Sequence, residues 1–230
     1  MLSEKELTAL AVSDEAVRLL DETDRDTLAD MLSDEFAAMK DYDQNNPHHC
    51  YDLLQHTLQT ALCIRQDQLR DAEFAALRIS ALFHDVGKPR VAKAKGNKTV
   101  YYNHAAASER IARNIFGTIG FPQEPSEQIF FFIRMHDMFI GVSPDTKENE
   151  SVLESTVQKM IARANEKFQK SGLPVPSLHD YQLLMRLCRA DLSAQSDEVY
   201  ENGILINTKK QKLELIERID KVINRTAQSI

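Results

Sequence analysis

Apolar residues recur at three- and four-residue spacing along most of this chain, the period of a helix that buries one face. The pattern predicts helices over about 4–20, 24–40, 50–68, 71–86, 103–117, 125–140, 150–170, 178–194 and 208–226. Asn45-Asn46-Pro47 marks a break, SGLPVPSL at 171–178 reads as a loop, and Asn202-Gly203 reads as a turn. One stretch departs from the helical period. In RVAKAKGNKTVYYN (90–103), Gly96-Asn97 separates Val91-Ala92 from Thr99-Val100-Tyr101-Tyr102, which suits a short β-hairpin. The expected fold is therefore all-α, a helical bundle with one small hairpin, in a single domain. Helices of 1–45 would pack on a core of 46–200, with the last helix of 201–230 joining the same domain.

Residues 80–89, SALFHDVGKP, pose a problem for that reading. Ala81, Leu82 and Phe83 run into His84-Asp85, and Gly87 and Pro89 then end the element. Asp85 is thus expected in the last turn of a buried helix. The negative end of the helix dipole repels a carboxylate there, and burial without a partner costs more still. A positive group is required opposite Asp85.

Composition narrows the options. Of 230 residues, 43% are hydrophobic and 27% charged, enough for a sizeable core, and the net charge of −7 argues against coating DNA. The three cysteines (Cys50, Cys63, Cys188) form neither a zinc pattern nor a disulfide framework, which suits a reducing cytoplasm. The start, MLSEKELTALAV, lacks the basic residues of a signal peptide, and no apolar run approaches the ~20 residues of a membrane span. A cytoplasmic protein without a membrane partner is expected.

Several polar residues fall on apolar helical stripes. His56 follows Leu53 and precedes Thr60 and Cys63; His104 lines up with Ser108, Ile111 and Ile115. His136 shares a face with Ile129, Phe132 and Phe139 or Ile140, and Asp191 with Leu184, Leu187 and Cys188. Any one of these reads most simply as a hydrogen-bonded core residue, and Asp191 as a partner of Arg186 or Arg189. Three inward histidines, an inward aspartate and a contiguous His-Asp pair are hard to satisfy separately. A divalent metal satisfies them together, because imidazole and carboxylate are its ligands. It also supplies the positive group that Asp85 requires.

The ordered set His56, His84-Asp85, His104, His136, Asp191 resembles the HD superfamily of metal-dependent phosphohydrolases. The words NPHHCYDLLQHTLQTA (46–61), ALFHDVGKP (81–89), YYNHAAASERIARNIF (101–116), IRMHDM (133–138) and LCRADLSAQS (187–196) are similar to the HD domain of bacterial tRNA nucleotidyltransferases. The polymerase half of that family is not matched, since residues 1–45 are too short for it, so CCA addition is not expected. The resemblance implies an HD-domain helical bundle with the hairpin after the HD motif. It also implies two divalent ions (Fe, Mn, Ni, Co, Zn or Mg): His56, His84 and Asp191 would hold one, His104 and His136 the other, and Asp85 both. Two ions ~3.5–4 Å apart activate water and clamp the oxygens of a phosphoryl displacement. The implied activity is that of a phosphatase or phosphodiesterase on a nucleotide or an RNA end, such as a 2′,3′-cyclic phosphate. Alternatives on the same residues are a di-iron oxygenase and a non-catalytic HD domain that binds tRNA or protein.

Charge developing on phosphorus needs donors. Lys88, three residues past Asp85, and Arg134, two before His136, are the candidates. His49 is a candidate acid or phosphate contact, with a loop histidine as the plain alternative. The hairpin segment carries Lys88, Arg90, Lys93, Lys95 and Lys98 with Tyr101 and Tyr102 beside it, Tyr102 being a candidate to stack a base; a solvated charge run is the default explanation. His136-Asp137 is a second His-Asp pair, but Asp137 falls about 100° round the helix, so only His136 is assigned to metal. Nothing in the sequence specifies an oligomeric state.

Overall fold

The computed structural model describes residues 1–139, 142, 149–201 and 203–228. Ile140 and Asn202, named above on a stripe and in a turn, lie outside the described residues. Within them the architecture is a helical bundle with two small hairpins. The two helices expected over 4–40 are four: α1 (Glu4–Val12), α2 (Asp14–Glu22), α3 (Arg25–Met31) and α4 (Asp34–Ala37). Ser3, Ser13, Asp24 and Ser33 stand at their N-caps, each side chain accepting a backbone N–H of the first turn. These polar residues divide what the periodicity alone joins.

Next come α5 (Leu53–Cys63), α6 (Asp71–Phe83), α7 (Lys88–Val91) and the hairpin β1 (Lys93–Lys95) with β2 (Lys98–Val100). The hairpin is antiparallel, with Lys93 opposite Val100. Then follow α8 (His104–Ile119), α9 (Gln123–Met135), α10 (Glu150–Lys170) and α11 (Leu178–Ser193). A second hairpin, β3 (Glu198–Glu201) and β4 (Ile204–Thr208), precedes α12 (Lys209–Gln228). That second hairpin is the difference from the expected fold. In the sequence Asn202-Gly203 separates Val199-Tyr200 from Ile204-Leu205-Ile206, which is a hairpin pattern, and the β3–β4 pairing has a bulge at Val199/Tyr200.

Helix α6 is the centre, packing on α1, α5, α8, α9 and α11. Phe74, Ala76, Leu77, Ile79, Ala81, Leu82 and Phe83 are all buried, so α6 is apolar nearly all round, as a core helix must be. Burying one such large side chain contributes on the order of 2 kcal/mol. Beside the buried Glu73 and Ser80, Arg78 stands out as fully buried yet charged. Its guanidinium donates to the carbonyls of Ala11 (2.8 Å), Ala61 (2.7 Å) and Ile64 (3.3 Å) and to the Asp14 carboxylate (2.8 Å). It thereby satisfies orphan carbonyls at the C-terminal ends of α1 and α5. Among the described residues, no helix is long and apolar enough to cross a membrane.

Candidate metal centre

Helix α6 ends at Phe83, and His84 is its C-cap, so Asp85 lies just beyond the helix in a tight turn rather than in the last helical turn. That turn runs against α8. The Gly87 N–H donates to Ser108 Oγ at 2.9 Å. A Cβ on Gly87 would come within 2.5 Å of the Ser108 backbone nitrogen and 2.8 Å of Ala107. With φ of −84° the backbone is ordinary; glycine is needed for the close approach, not for its conformation.

The turn delivers Asp85 into a cluster of imidazoles from four elements. His56 comes from α5, His84 and His136 from the ends of α6 and α9, and His104 from the first position of α8. Each ring is oriented in the same way. The Nδ1 atoms face backbone carbonyls: His56 to Ala194 (3.3 Å), His84 to Ala81 (2.7 Å), His104 to Tyr101 (2.9 Å) and His136 to Ile133 (2.8 Å). A carbonyl only accepts, so each Nδ1 carries the proton and each Nε2 presents a lone pair inwards. In three cases the acceptor is three residues back, and for His84 and His136 it is an orphan carbonyl of a helix end.

The Nε2 atoms converge on two buried carboxylates. His56 Nε2 is 3.1 Å from Asp191 Oδ1 and 3.6 Å from Asp85 Oδ2. His84 Nε2 is 3.2 Å from Asp85 Oδ2 and 3.9 Å from Asp191 Oδ1. On the other side, His104 and His136 Nε2 are 3.3 and 3.7 Å from Asp85 Oδ1 and 3.1 Å from each other. Acceptor therefore faces acceptor. The Nε2 atoms of His56 and His84 and Oδ1 of Asp85 are buried with no hydrogen-bond partner. Such a set is costly unless a cation stands within it.

The donor atoms fit that role. His56, His84 and Asp85 form one group whose ligand atoms lie within 4.8 Å of one another, and Asp85, His104 and His136 form a second. Ligands about 2.0–2.2 Å from one ion are themselves about 3–3.5 Å apart, close to the spacings here. Asp85 offers Oδ2 to the first group and Oδ1 to the second. Asp191 sits beside the first group through His56.

The positive group that the sequence requires opposite Asp85 is present in the protein itself. Lys88 Nζ lies 2.7 Å from Asp85 Oδ2 and also donates to Gln44 Oε1 at 2.8 Å. Lys88 thus satisfies one lobe of the carboxylate and leaves Oδ1 unpaired. Burial works against the Asp85 charge, but the positive charge beside it, His84 when protonated and the Lys88 ammonium, outweighs it and holds the carboxyl well below the usual range. Asp191 is likewise held low against burial when His56 and His84 carry a proton on Nε2. Burial, then Lys88, pushes His49 down to about 2, so its imidazole is neutral.

A cavity of about 620 Å³ opens onto the cluster. Asp85, Lys88, His104, His136, Asp191 and His49 line it, with Lys88 Nζ 3.5 Å from His49 Nε2. Two expected site residues are elsewhere. Arg134 is not on the cavity lining and pairs with Glu109 at 2.7 Å; two residues from His136 is about 200° round a helix. Tyr102 is exposed beside Lys95, whereas its neighbour Tyr101 is buried, with Lys88 Nζ 5.6 Å from the ring centroid. Asp137 lines the cavity, its Oδ2 4.0 Å from His104 Nε2. Helix α9 has ended by then, so the helical angle that turned Asp137 aside does not apply.

Four residues on or beside the cavity were not singled out from sequence. Gln44 holds Lys88; Gln195 donates to Asp191 Oδ1 at 3.4 Å; Lys212 donates to Gln195 Oε1 and His48 Nδ1, both at 2.9 Å. Gln195 lies four residues after Asp191 on its stripe and could have been found that way. Lys212 carries no local signal.

A protein-family model described as HD domain matches residues 53–188. No curated protein matches the chain. The family match spans α5 to α11 and contains the four inward histidines and Asp85, while Asp191 falls three residues beyond it.

Proposed function

This chain belongs to the HD domain family, and from that premise and the buried His/Asp cluster we propose that it is a metal-dependent phosphohydrolase of the two-metal kind. The observation that carries the reading is the convergence of four imidazole lone pairs on two buried carboxylates with Oδ1 of Asp85 unpaired. His56, His84, Asp191 and Asp85 Oδ2 would hold one ion, and His104, His136 and Asp85 Oδ1 the other. When bound, such ions supply an acidified water and positive charge for phosphoryl oxygens.

The chain's own groups do the rest. Lys88 has three N–H donors, two of them engaged by Asp85 and Gln44. The third is directed near neutral His49, where a phosphoryl oxygen can replace the imidazole as acceptor and have its developing charge stabilised. The carbonyls that fix the four Nδ1–H groups hold the rings before anything binds, so little reorganisation is left for the reaction. A nucleotide or RNA end is the proposed substrate class. The resemblance of its sequence words to the HD domain of tRNA nucleotidyltransferases supports it, as does an apolar wall of Phe139, Val142, Leu192, Leu215 and Ile216 beside the cluster, which suits a base.

The test is elemental analysis of protein purified without chelator, followed by a phosphate-release screen over nucleotides and RNA ends. About two transition-metal ions per chain, falling sharply in Asp85→Ala, together with phosphate release are expected. A folded wild-type protein that holds no metal would refute the reading.

A further inference from the structure

We infer that Lys212 and His48 form a second anion-binding subsite in the cavity, so that the substrate carries, besides the phosphate to be cleaved, a second anionic group across a ring or apolar segment. This extends the phosphohydrolase reading above, on which its substrate class rests. Lys212, Leu215 and Ile216 are three and four residues apart on α12 and share one face, and all line the cavity. The face therefore presents one cation and two apolar side chains to the space beside the cluster.

The surroundings of Lys212 are unlike those of a surface lysine. Its side chain is half-buried, and burial destabilises its charge. Yet its two hydrogen-bond partners, Gln195 Oε1 and His48 Nδ1, are not carboxylates. The adjacent Lys209, by contrast, pairs with Asp197 at 2.8 Å. Asp191 is one residue further off, reached through the Gln195 amide. Two of the three Lys212 donors are thus engaged, and one ammonium N–H remains for an anion.

The consecutive histidines 48 and 49 set this lysine in relation to the first. His49 faces Lys88 at 3.5 Å, and His48 accepts from Lys212 at 2.9 Å. One loop dipeptide therefore touches two ammonium groups lining one cavity, one at the metal cluster and one on α12. The apolar wall completes a site shaped for anion, ring and anion. A lysine that only tied the His48 loop to α12 would give no anion site, and that alternative is testable.

Inorganic phosphate is the probe, titrated into the full chain as purified and counted by equilibrium dialysis. Wild type and Lys212→Arg should bind two phosphates per chain, and Lys212→Met and Lys88→Met one each, with folding checked by thermal denaturation. Adenosine 3′,5′-bisphosphate should displace both phosphates from wild type, and adenosine 5′-monophosphate only one. Equal phosphate counts in wild type and Lys212→Met, or a bisphosphate that displaces one phosphate, would overturn the inference. Failure of the hydrolase reading is seen separately, as absent metal and absent turnover in the same preparation.

Discussion

Replacing Gly87 with alanine tests whether the metal cluster depends on a backbone contact that carries no chemistry of its own. The new Cβ would stand 2.5 Å from the Ser108 nitrogen, where ordinary contact begins at 3.4 Å. The separation is short by about 0.9 Å, and the atoms in the way are α8 backbone, so rotation of a side chain cannot relieve it. Either the Asp85 turn or α8 must move by most of that distance. His104 is one turn from Ser108, and its Nε2 is 3.3 Å from Asp85 Oδ1. Metal ligands tolerate displacements of about 0.5 Å, so the His104/His136 group should fail first, while His56, His84 and Asp191 lie on other elements. Overpacking of this kind costs about 1–3 kcal/mol, which lowers Tm by about 3–10 °C in a chain of this size. Gly87→Ala should therefore melt earlier and retain about one ion where wild type holds about two. Gly117 is the matched control on the same helix: a Cβ there meets nothing within 4 Å, so Gly117→Ala should gain about 0.5–1 kcal/mol from helix propensity. A Gly87→Ala protein with wild-type Tm and metal content would refute the argument.

Further outcomes follow from the same geometry. Lys88→Met should keep its metal and lose about 10²–10³ in kcat, read by phosphate release; full activity would remove Lys88 from the mechanism. Arg134→Ala should leave KM and kcat within twofold, because Arg134 is bound to Glu109 outside the cavity, and a tenfold loss would contradict that placement. Glu73 is drawn from 4.5 down to about 2 by the Arg70 hydrogen bond, with His179 also bonded to it. A depressed carboxyl stabilises the fold above its unfolded pKa and stops doing so as pH falls through the folded one. Glu73→Gln should thus flatten the loss of stability between pH 4.5 and about 2 in urea melts, and an unchanged acid limb would count against it.

Much of the site was legible because its residues obey helical periodicity. His56, His104 and Asp191 sit on apolar stripes, and the HDVGKP word announced the end of α6, whereas the close approach at Gly87 came only from the structure. Where periodicity stops, it no longer says which way a side chain points. Asp137 follows the end of α9, so its direction is set by a turn. Tyr101 and Tyr102 are adjacent after a strand, and it is Tyr101 that is buried while Tyr102 is exposed. Arg134 was readable in principle, since 200° on a helix is the far side. Lys212 and His48 meet across 164 positions of chain, a pairing no local pattern encodes. The split of 4–40 into four helices needed the capping side chains to be weighed against the apolar spacing.

Arg78 bears on where this protein can be cut. The family match begins at residue 53, yet two of the four acceptors around the buried guanidinium, the Ala11 carbonyl and the Asp14 carboxylate, lie well before it. A fragment trimmed to the match would leave the Arg78 guanidinium without half its partners and would uncover the side of α6 that packs on α1. The region that the family match covers and the region that packs around Arg78 therefore differ, and a fragment starting at residue 53 is expected to melt below the full chain.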